Sequence, residues 1–360
     1  MVEGARVQTD AARPRNRQTR PTVGETKEPS QEVTVLVTGG AGYIGAHTVR
    51  ALRASGRTVV VLDTLERGNK EAVIDAELVV GDIADQDLVA KICRDHRVAS
   101  VIHFAAYKAV GESMEKPEMY WNNNVASTEK MLAVLTEQKI DKFVFSSSAA
   151  VYGTPKSVPV TETMPTVPES VYAETKLAVE KYLAALSQNP KQPMNSVSLR
   201  YFNAAGASSD NKIGEDWSSS QNLLPRVMRG LLDGKFKFEI YGNDYDTPDG
   251  TCIRDYIHVE DLADAHLKAL EYLEAGNKSL VCNIGTGHGT SVMQLIELAE
   301  ITAKRKVPYS IAPRRAGDPI AVYADVQLAN KTLQWRASRS LQQIVESAYR
   351  WHESHPNQYR

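Results

Sequence analysis

Residues 33–56, VTVLVTGGAGYIGAHTVRALRASG, join a short β-branched run to three glycines and then to apolar residues at helical spacing. The run is too short for a typical helix, so the segment predicts strand, tight turn and helix in that order. Gly39, Gly42 and Gly45 form a G-x-x-G-x-x-G variant of the dinucleotide fingerprint. Gly39 lets the chain turn sharply. Gly42 lets backbone N–H groups approach a pyrophosphate, and Gly45 lets the helix pack on the strand with phosphate at its N-terminus. A glycine turn alone is weak evidence of a ligand; the strand before it and the helix after it strengthen the reading.

A second strand, TVVVLD, ends at Asp63, eighteen residues after Gly45. A carboxylate there accepts hydrogen bonds from ribose hydroxyls and repels a 2′-phosphate, which favours NAD over NADP. Arg67 is read as a solvated loop charge. The alternation continues through AELVVGD to Asp82, ASVIHFAA to Ala106 and KFVFSSSAAVYG, with helical segments between. Short apolar strands alternating with helices predict an α/β fold: a doubly wound, parallel Rossmann-type sheet. In such sheets ligands lie at the carboxyl ends of strands, where Asp82, Phe104, Ala105, Lys108 and the serines Ser146 to Ser148 fall. From about Asn203 the alternation lapses into longer polar segments, as expected where a smaller C-terminal α/β substrate domain grows from strand-end loops. The expected division is 33–202 for the dinucleotide, with segments near 252–285 returning to it, and 203–360 mainly for the substrate.

Charge excludes several classes of partner. Forty-two basic residues oppose 44 acidic ones, so no overall field draws the chain to nucleic acid or an anionic membrane. No run approaches the roughly 20 apolar residues of a membrane span. Cys93, Cys252 and Cys282 are odd in number, far apart and without metal-ligand spacing, which predicts a reduced cytoplasmic compartment and no structural metal. Residues 1–32 carry almost no large apolar side chains and are expected to form a disordered tail.

The stretch YAETK places Tyr172 four residues before Lys176 on one face of the predicted helix SVYAETKLAVEKYLAAL. A phenol is a poor base at its ordinary pKa of about 10, but an adjacent ammonium favours phenolate. With Ser148 nearby to bond a substrate hydroxyl, the set predicts acid and base chemistry at a carbinol carbon coupled to nicotinamide. In the second half, Asn203 can bond a diphosphate or sugar, and Asn222 and Leu223 begin a helix whose N-terminus suits phosphate. Arg254 and Arg315 are candidate diphosphate clamps, because guanidinium is a rigid fork of donors; the alternative is an ion pair with Asp255 or Asp318.

Taken together, TGGAGYIG, HFAAYKAVGES, FSSSA, Y-x-x-x-K, LRYFNAAG, NDYDTPDGTCIRDYIHV, NIGTG and APRRAGD resemble, in order and spacing, the extended short-chain dehydrogenase/reductase family and its nucleotide-sugar epimerases. The resemblance covers residues 33 to about 356. It implies 4-epimerisation of UDP-galactose and UDP-glucose through a 4-keto sugar, with NAD bound throughout, by a homodimer. It adds Tyr43, Ile44, Ile83, Asn123 and Phe202 to the NAD contacts expected of Gly39, Gly42, Gly45, Asp63, Asp82, Phe104, Ala105, Lys108, Ser146, Tyr172 and Lys176. Lys108 is shared with the substrate, and Asp318 is assigned to its ribose. Val322 stands where relatives that exclude N-acetylated sugars carry tyrosine, so UDP-N-acetylgalactosamine and UDP-N-acetylglucosamine are expected substrates too. Val171, Ala173, Ala106 and Ala150 depart from the usual pattern and bear on rate. The nearest alternative, a 4,6-dehydratase, would carry Asp-Glu where Ala149 and Ala150 follow Ser148; a UDP-glucuronate decarboxylase is less easily excluded by residues, although NDYDTPDGT and APRRAGD favour the epimerase. A non-catalytic NAD sensor would lack Tyr172 or Lys176.

Overall fold

Strand β1 (Thr34–Thr38) shows how the sequence builds two layers around one sheet. Val35 and Val37 pack into one apolar cluster and Leu36 into another, as do Val59 with Val61 and Val60 with Leu62 on the neighbouring strand. Alternating side chains point to opposite faces, so a strand apolar on both must be covered on both. The computed structural model describes Met1 and residues 33–360 other than Ala316; the expected tail lies outside the described residues.

Strands β2 (Thr58–Asp63), β3 (Glu77–Val80), β4 (Val98–His103), β5 (Lys142–Ser146) and β6 (Asn195–Tyr201) follow β1. They alternate with helices α1 (Tyr43–Ala54), α2 (Gln86–Asp95), α3 (Val110–Glu115), α4 (Pro117–Tyr120), α5 (Ser127–Glu137) and α6 (Val171–Ser187). The second half contributes β7 (Asn203–Ala205), α7 (Leu223–Leu232), β8 (Phe238–Tyr241), β9 (Ile253–Arg254), β10 (Tyr256–His258), α8 (Val259–Glu274) and β11 (Leu280–Ile284). It closes with β12 (Thr290–Ser291), α9 (Val292–Ala303), β13 (Tyr309–Ala312), β14 (Ala321–Val322) and α10 (Leu341–Ser354).

Seven strands form one parallel sheet in the order β3-β2-β1-β4-β5-β6-β11, which is the Rossmann-type α/β arrangement expected. The order reverses between β1 and β4, and a crevice opens there at the carboxyl ends. Edge strand β3 is half exposed, with Val80 at 60 %, because it is covered less than the central strands. The small second-half strands pair outside this sheet: β7 with β10, β8 with β13, and β9 between β12 and β14. A third apolar cluster there gathers α7, α9 and α10 through Val227, Leu295, Ile296, Ile344 and Val345. Among the described residues no helix is long and apolar enough to cross a membrane, and no cluster suits a metal.

Candidate active site

The turn after β1 is shaped by what its glycines exclude. A Cβ on Gly39, whose φ is +70°, would lie 2.5 Å from the Ala105 backbone nitrogen, and one on Gly45 would lie 2.3 Å from the Gly39 carbonyl oxygen. The turn is thus pressed between α1 and the end of β4. No side chain among the described residues caps the N-terminus of α1, which follows Gly42 directly. Uncapped first-turn N–H groups at a glycine turn suit an anion. Asp63 closes β2, its Oδ2 accepting from the Ala41 N–H at 3.0 Å and its Oδ1 from Leu65 at 2.8 Å. Each carboxylate oxygen accepts more than one bond, so Asp63 can hold these loops and still receive a ribose hydroxyl.

The crevice is lined near the turn by Gly39, Gly42, Tyr43, Ile44, Gly45 and Asp63. Asp82, Ile83, Phe104, Ala105, Lys108 and Asn123 continue the lining, and Ser146, Tyr172, Lys176 and Asn222 complete the set expected from sequence. The structure separates a second group from this lining: Ser148, Phe202, Asn203, Leu223, Arg254, Arg315, Asp318 and Val322. Phe202 and Val322 pack beside Leu177, next to Lys176. Arg254 pairs in register with Val322 and forms an ion pair with Asp318, the alternative weighed for it above. Arg315 instead stacks on Tyr241, 3.8 Å from the ring centroid.

Arg67 is exposed, as expected of a loop charge, but it is not without partners. Its guanidinium stacks 4.2 Å over Tyr107 and pairs with Glu112 at 2.9 Å, because the loops after β2 and β4 meet at the crevice rim. A positive charge already matched by Glu112 is less free to attract a 2′-phosphate.

Helix α6 starts at its N-cap Ser170, whose Oγ accepts from the Ala173 N–H, and α3 adds a second tie as Ser113 Oγ accepts from the Tyr172 N–H at 3.1 Å. These bonds aim Tyr172. Ser148 lies beside its phenol and favours the ionised form, and Ser148 Oγ accepts from the Ala150 N–H at 3.1 Å; β5 itself ends at Ser146, two residues before Ser148. One turn along, Lys176 is buried and donates from Nζ to the Ser146 carbonyl at 2.8 Å. Here the structure sharpens a sequence expectation. Burial raises the Tyr172 pKa, with the Ser148 bond partly offsetting it, and burial pushes the Lys176 pKa down to about 7 against the opposing pull of Glu180. Desolvation therefore dominates the pair in the protein alone.

The cost of burying the ammonium is fully present below about pH 7, shrinks as pH rises toward the ordinary lysine range, and vanishes above it. Lys176→Met should therefore raise the melting temperature more at about pH 6 than at about pH 9. An equal gain at both pH values would mean that Lys176 is not buried as a charge.

Several residues of the site carried no sequence signal. Behind Lys176, Glu180 accepts from Ser147 Oγ at 2.5 Å and from Arg200, whose Nη1 donates to Tyr152 Oη at 2.9 Å. Tyr152 in turn donates to Asn283 at 2.7 Å. This buried chain fixes the strand end that carries Ser146 to Ser148. Asn124, in a π-helical turn over Trp121–Ala126, accepts from the Tyr107 N–H and donates to its carbonyl, while Asn123 donates to Asn124. Pi-helical turns are frequent at functional sites.

A parallel sheet with a glycine cradle at its switch point, and a Ser, Tyr and Lys cluster at the next strand end, defines an oxidoreductase scaffold of the short-chain dehydrogenase/reductase class. Residues 35–285 match the NAD dependent epimerase/dehydratase family, and the chain belongs to that family. It is 45% identical over 327 residues to UDP-glucose 4-epimerase of Lactobacillus helveticus, covering 90% of this chain and 98% of the relative. Among solved structures, UDP-glucose 4-epimerase from Stenotrophomonas maltophila with NAD and formylated UDP-arabinopyranose superposes with a TM-score of 0.87 at 37% identity, covering 90% of this chain and 99% of that one. The enzyme from Bifidobacterium longum with NAD+ and UDP gives 0.85 at 39% identity, covering 90% and 99%.

Proposed function

We propose that this chain interconverts UDP-galactose and UDP-glucose by inverting C4 of the sugar through a transient 4-ketose, with NAD held throughout. The observation that carries the reading is that Tyr172 and the buried Lys176 line the dinucleotide crevice together, with Lys176 Nζ donating to the Ser146 carbonyl where β5 ends. Similarity to UDP-glucose 4-epimerases over nearly the whole of their length supports it.

The crevice fits a dinucleotide. The turn has no room for a Cβ at Gly39 or Gly45, and the N-terminus of α1 has no side-chain cap. In this reading Gly42, Tyr43 and Ile44 receive the pyrophosphate, Asp63 the adenosine ribose, and Asp82 with Ile83 the adenine. Phe104, Ala105, Lys108, Asn123, Ser146 and Phe202 line the path toward the nicotinamide. When bound, NAD supplies the hydride acceptor and a cationic ring that favours phenolate on Tyr172.

Tyr172 takes the proton of the sugar 4-hydroxyl and returns it, while Ser148 bonds the same oxygen. Lys176, held by the Ser146 carbonyl, presents positive charge to the phenol and lowers the cost of phenolate. A planar C4 ketone has no configuration, so reduction on its opposite face inverts the carbon. Arg254, Arg315, Asn203, Asn222 and Leu223 hold the diphosphate in this assignment, and Asp318 the uridine ribose. Ala149 and Ala150 follow Ser148, so the carboxylates that a 4,6-dehydratase needs at those positions are missing from the sequence. The reading extends to a cytoplasmic homodimer; Cys93, Cys252 and Cys282 are free and buried, as suits a reducing compartment.

Val322 extends the proposal to N-acetylated sugars. It sits opposite Arg254 and, like Phe202, packs against the cluster that contains Leu177; in this reading a larger side chain there takes space from the sugar. The wild-type chain should turn over both UDP-N-acetylglucosamine and UDP-glucose, and Val322→Tyr should cut the acetylated reaction by about tenfold relative to the other. No wild-type turnover of the acetylated pair would sink the idea.

A further inference from the structure

Glu215 is a buried acid on the wall of the crevice, 4 % exposed, and nothing in its sequence setting marks it. One oxygen, Oε1, gathers three donors: Asn222 Nδ2 at 2.7 Å, Ser220 Oγ at 2.8 Å and Lys108 Nζ at 3.3 Å. The other, Oε2, is buried without a hydrogen-bond partner among the described residues. A buried carboxylate oxygen left without a partner is costly to keep, which points to a task beyond packing.

The three donors identify the task. Asparagine is among the best helix N-caps because its side-chain oxygen accepts from the first-turn N–H groups. Asn222 occupies the N-cap of the ten-residue helix α7 but makes no such bond. Its amide is turned to Glu215 instead, and the first turn of α7 is left without a side-chain cap. Ser220 Oγ, donating to the same carboxylate oxygen, accepts from the Asn222 N–H at 3.1 Å and fixes the approach to the helix. Lys108 arrives from the loop after β4, and its side chain is 57 % exposed, so the ammonium is tethered at the rim yet free to re-aim. Glu215 thus gathers two anion-binding features, an open helix N-terminus and an exposed cation, around one carboxylate oxygen on the crevice wall.

We infer that Glu215 is a positioning residue for nucleotide diphosphate: it withholds Asn222 from capping α7 and stations Lys108 beside it, so that a diphosphate meets donors already in place. The inference rests on the nucleotide-sugar reading above. Glu215 touches no reacting atom. Its work is done through the oxygen that accepts from Asn222 and Ser220, so an amide in its place should serve nearly as well, whereas a methyl group should not.

Calorimetric titration of UDP into NAD-loaded wild type, Glu215→Ala and Glu215→Gln separates the possibilities without depending on turnover. Glu215→Ala should weaken UDP binding about tenfold, the scale of one lost hydrogen-bond network, with NAD retained. Glu215→Gln should stay within about threefold of wild type, because it keeps the acceptor. In assays, Glu215→Ala should raise KM with kcat little changed. Equal UDP affinity in wild type and Glu215→Ala overturns the inference, and so does Glu215→Gln as weak as Glu215→Ala, which would make charge rather than positioning the cause. Failure of the wild type itself to bind UDP would instead sink the nucleotide-sugar reading.

Discussion

Replacing Tyr172 with phenylalanine should lower kcat by roughly a thousandfold while NAD stays bound, since it removes one acid and base group and little else. Phenylalanine keeps the ring, which is 8 % exposed and packed at the base of the crevice. The N-cap bond from Ser170 and the Ser113 bond to the Tyr172 N–H involve backbone, so α6 keeps its aim. What is lost is the phenol oxygen beside Ser148, which is the proton acceptor itself. Steady-state rates, with NAD quantified after denaturing the purified variant, decide the matter. Unchanged epimerisation would remove Tyr172 from the reaction.

The second large effect is expected at Gly39. Alanine there must adopt φ near +70° and place a Cβ 2.5 Å from the Ala105 nitrogen and 2.8 Å from the Gly39-facing backbone carbon of Phe104. The left-handed conformation alone costs about 1–2 kcal/mol for a residue with a Cβ. The clash adds to this, because its neighbours are backbone atoms at the end of β4 and not the tip of a flexible side chain. Gly39→Ala should therefore lose about 2 kcal/mol or more of stability and purify without NAD. Thermal melts and cofactor content report both quantities, and a variant that carries stoichiometric NAD would show that the turn is not the cradle described above.

The fold and the dinucleotide crevice were readable from sequence because their signals are local. Strand β1, its glycines and α1 lie within about two dozen consecutive residues, and Asp63 is marked by the end of the next apolar run. Tyr172 and Lys176 share a helix turn, so their adjacency was also legible. Their desolvation was not: burial is decided by α3, β5 and the loops that close over α6, and it reverses the expected balance on the phenol. Some of the pairings that escaped notice join residues remote in the chain. Lys108 meets Glu215 across 107 positions and Tyr152 meets Asn283 across 131, so no spacing rule could connect them. The partners of Arg67 were hidden for a related reason. Its exposure was expected, but only the fold brings Tyr107 and Glu112 beside it. Arg254 shows the intermediate case, since Asp318 could be named as a partner from sequence, but its pairing with Val322 across β9 and β14 could not.

The most direct test of the central claim is to purify the chain without adding cofactor, quantify bound NAD, and follow UDP-galactose by a readout that does not itself require NAD. The account predicts about one NAD per chain and conversion to an equilibrium mixture with UDP-glucose, with no NAD consumed and no net redox product. Bound NAD without interconversion, or conversion that halts after one turnover unless fresh NAD is supplied, would contradict it.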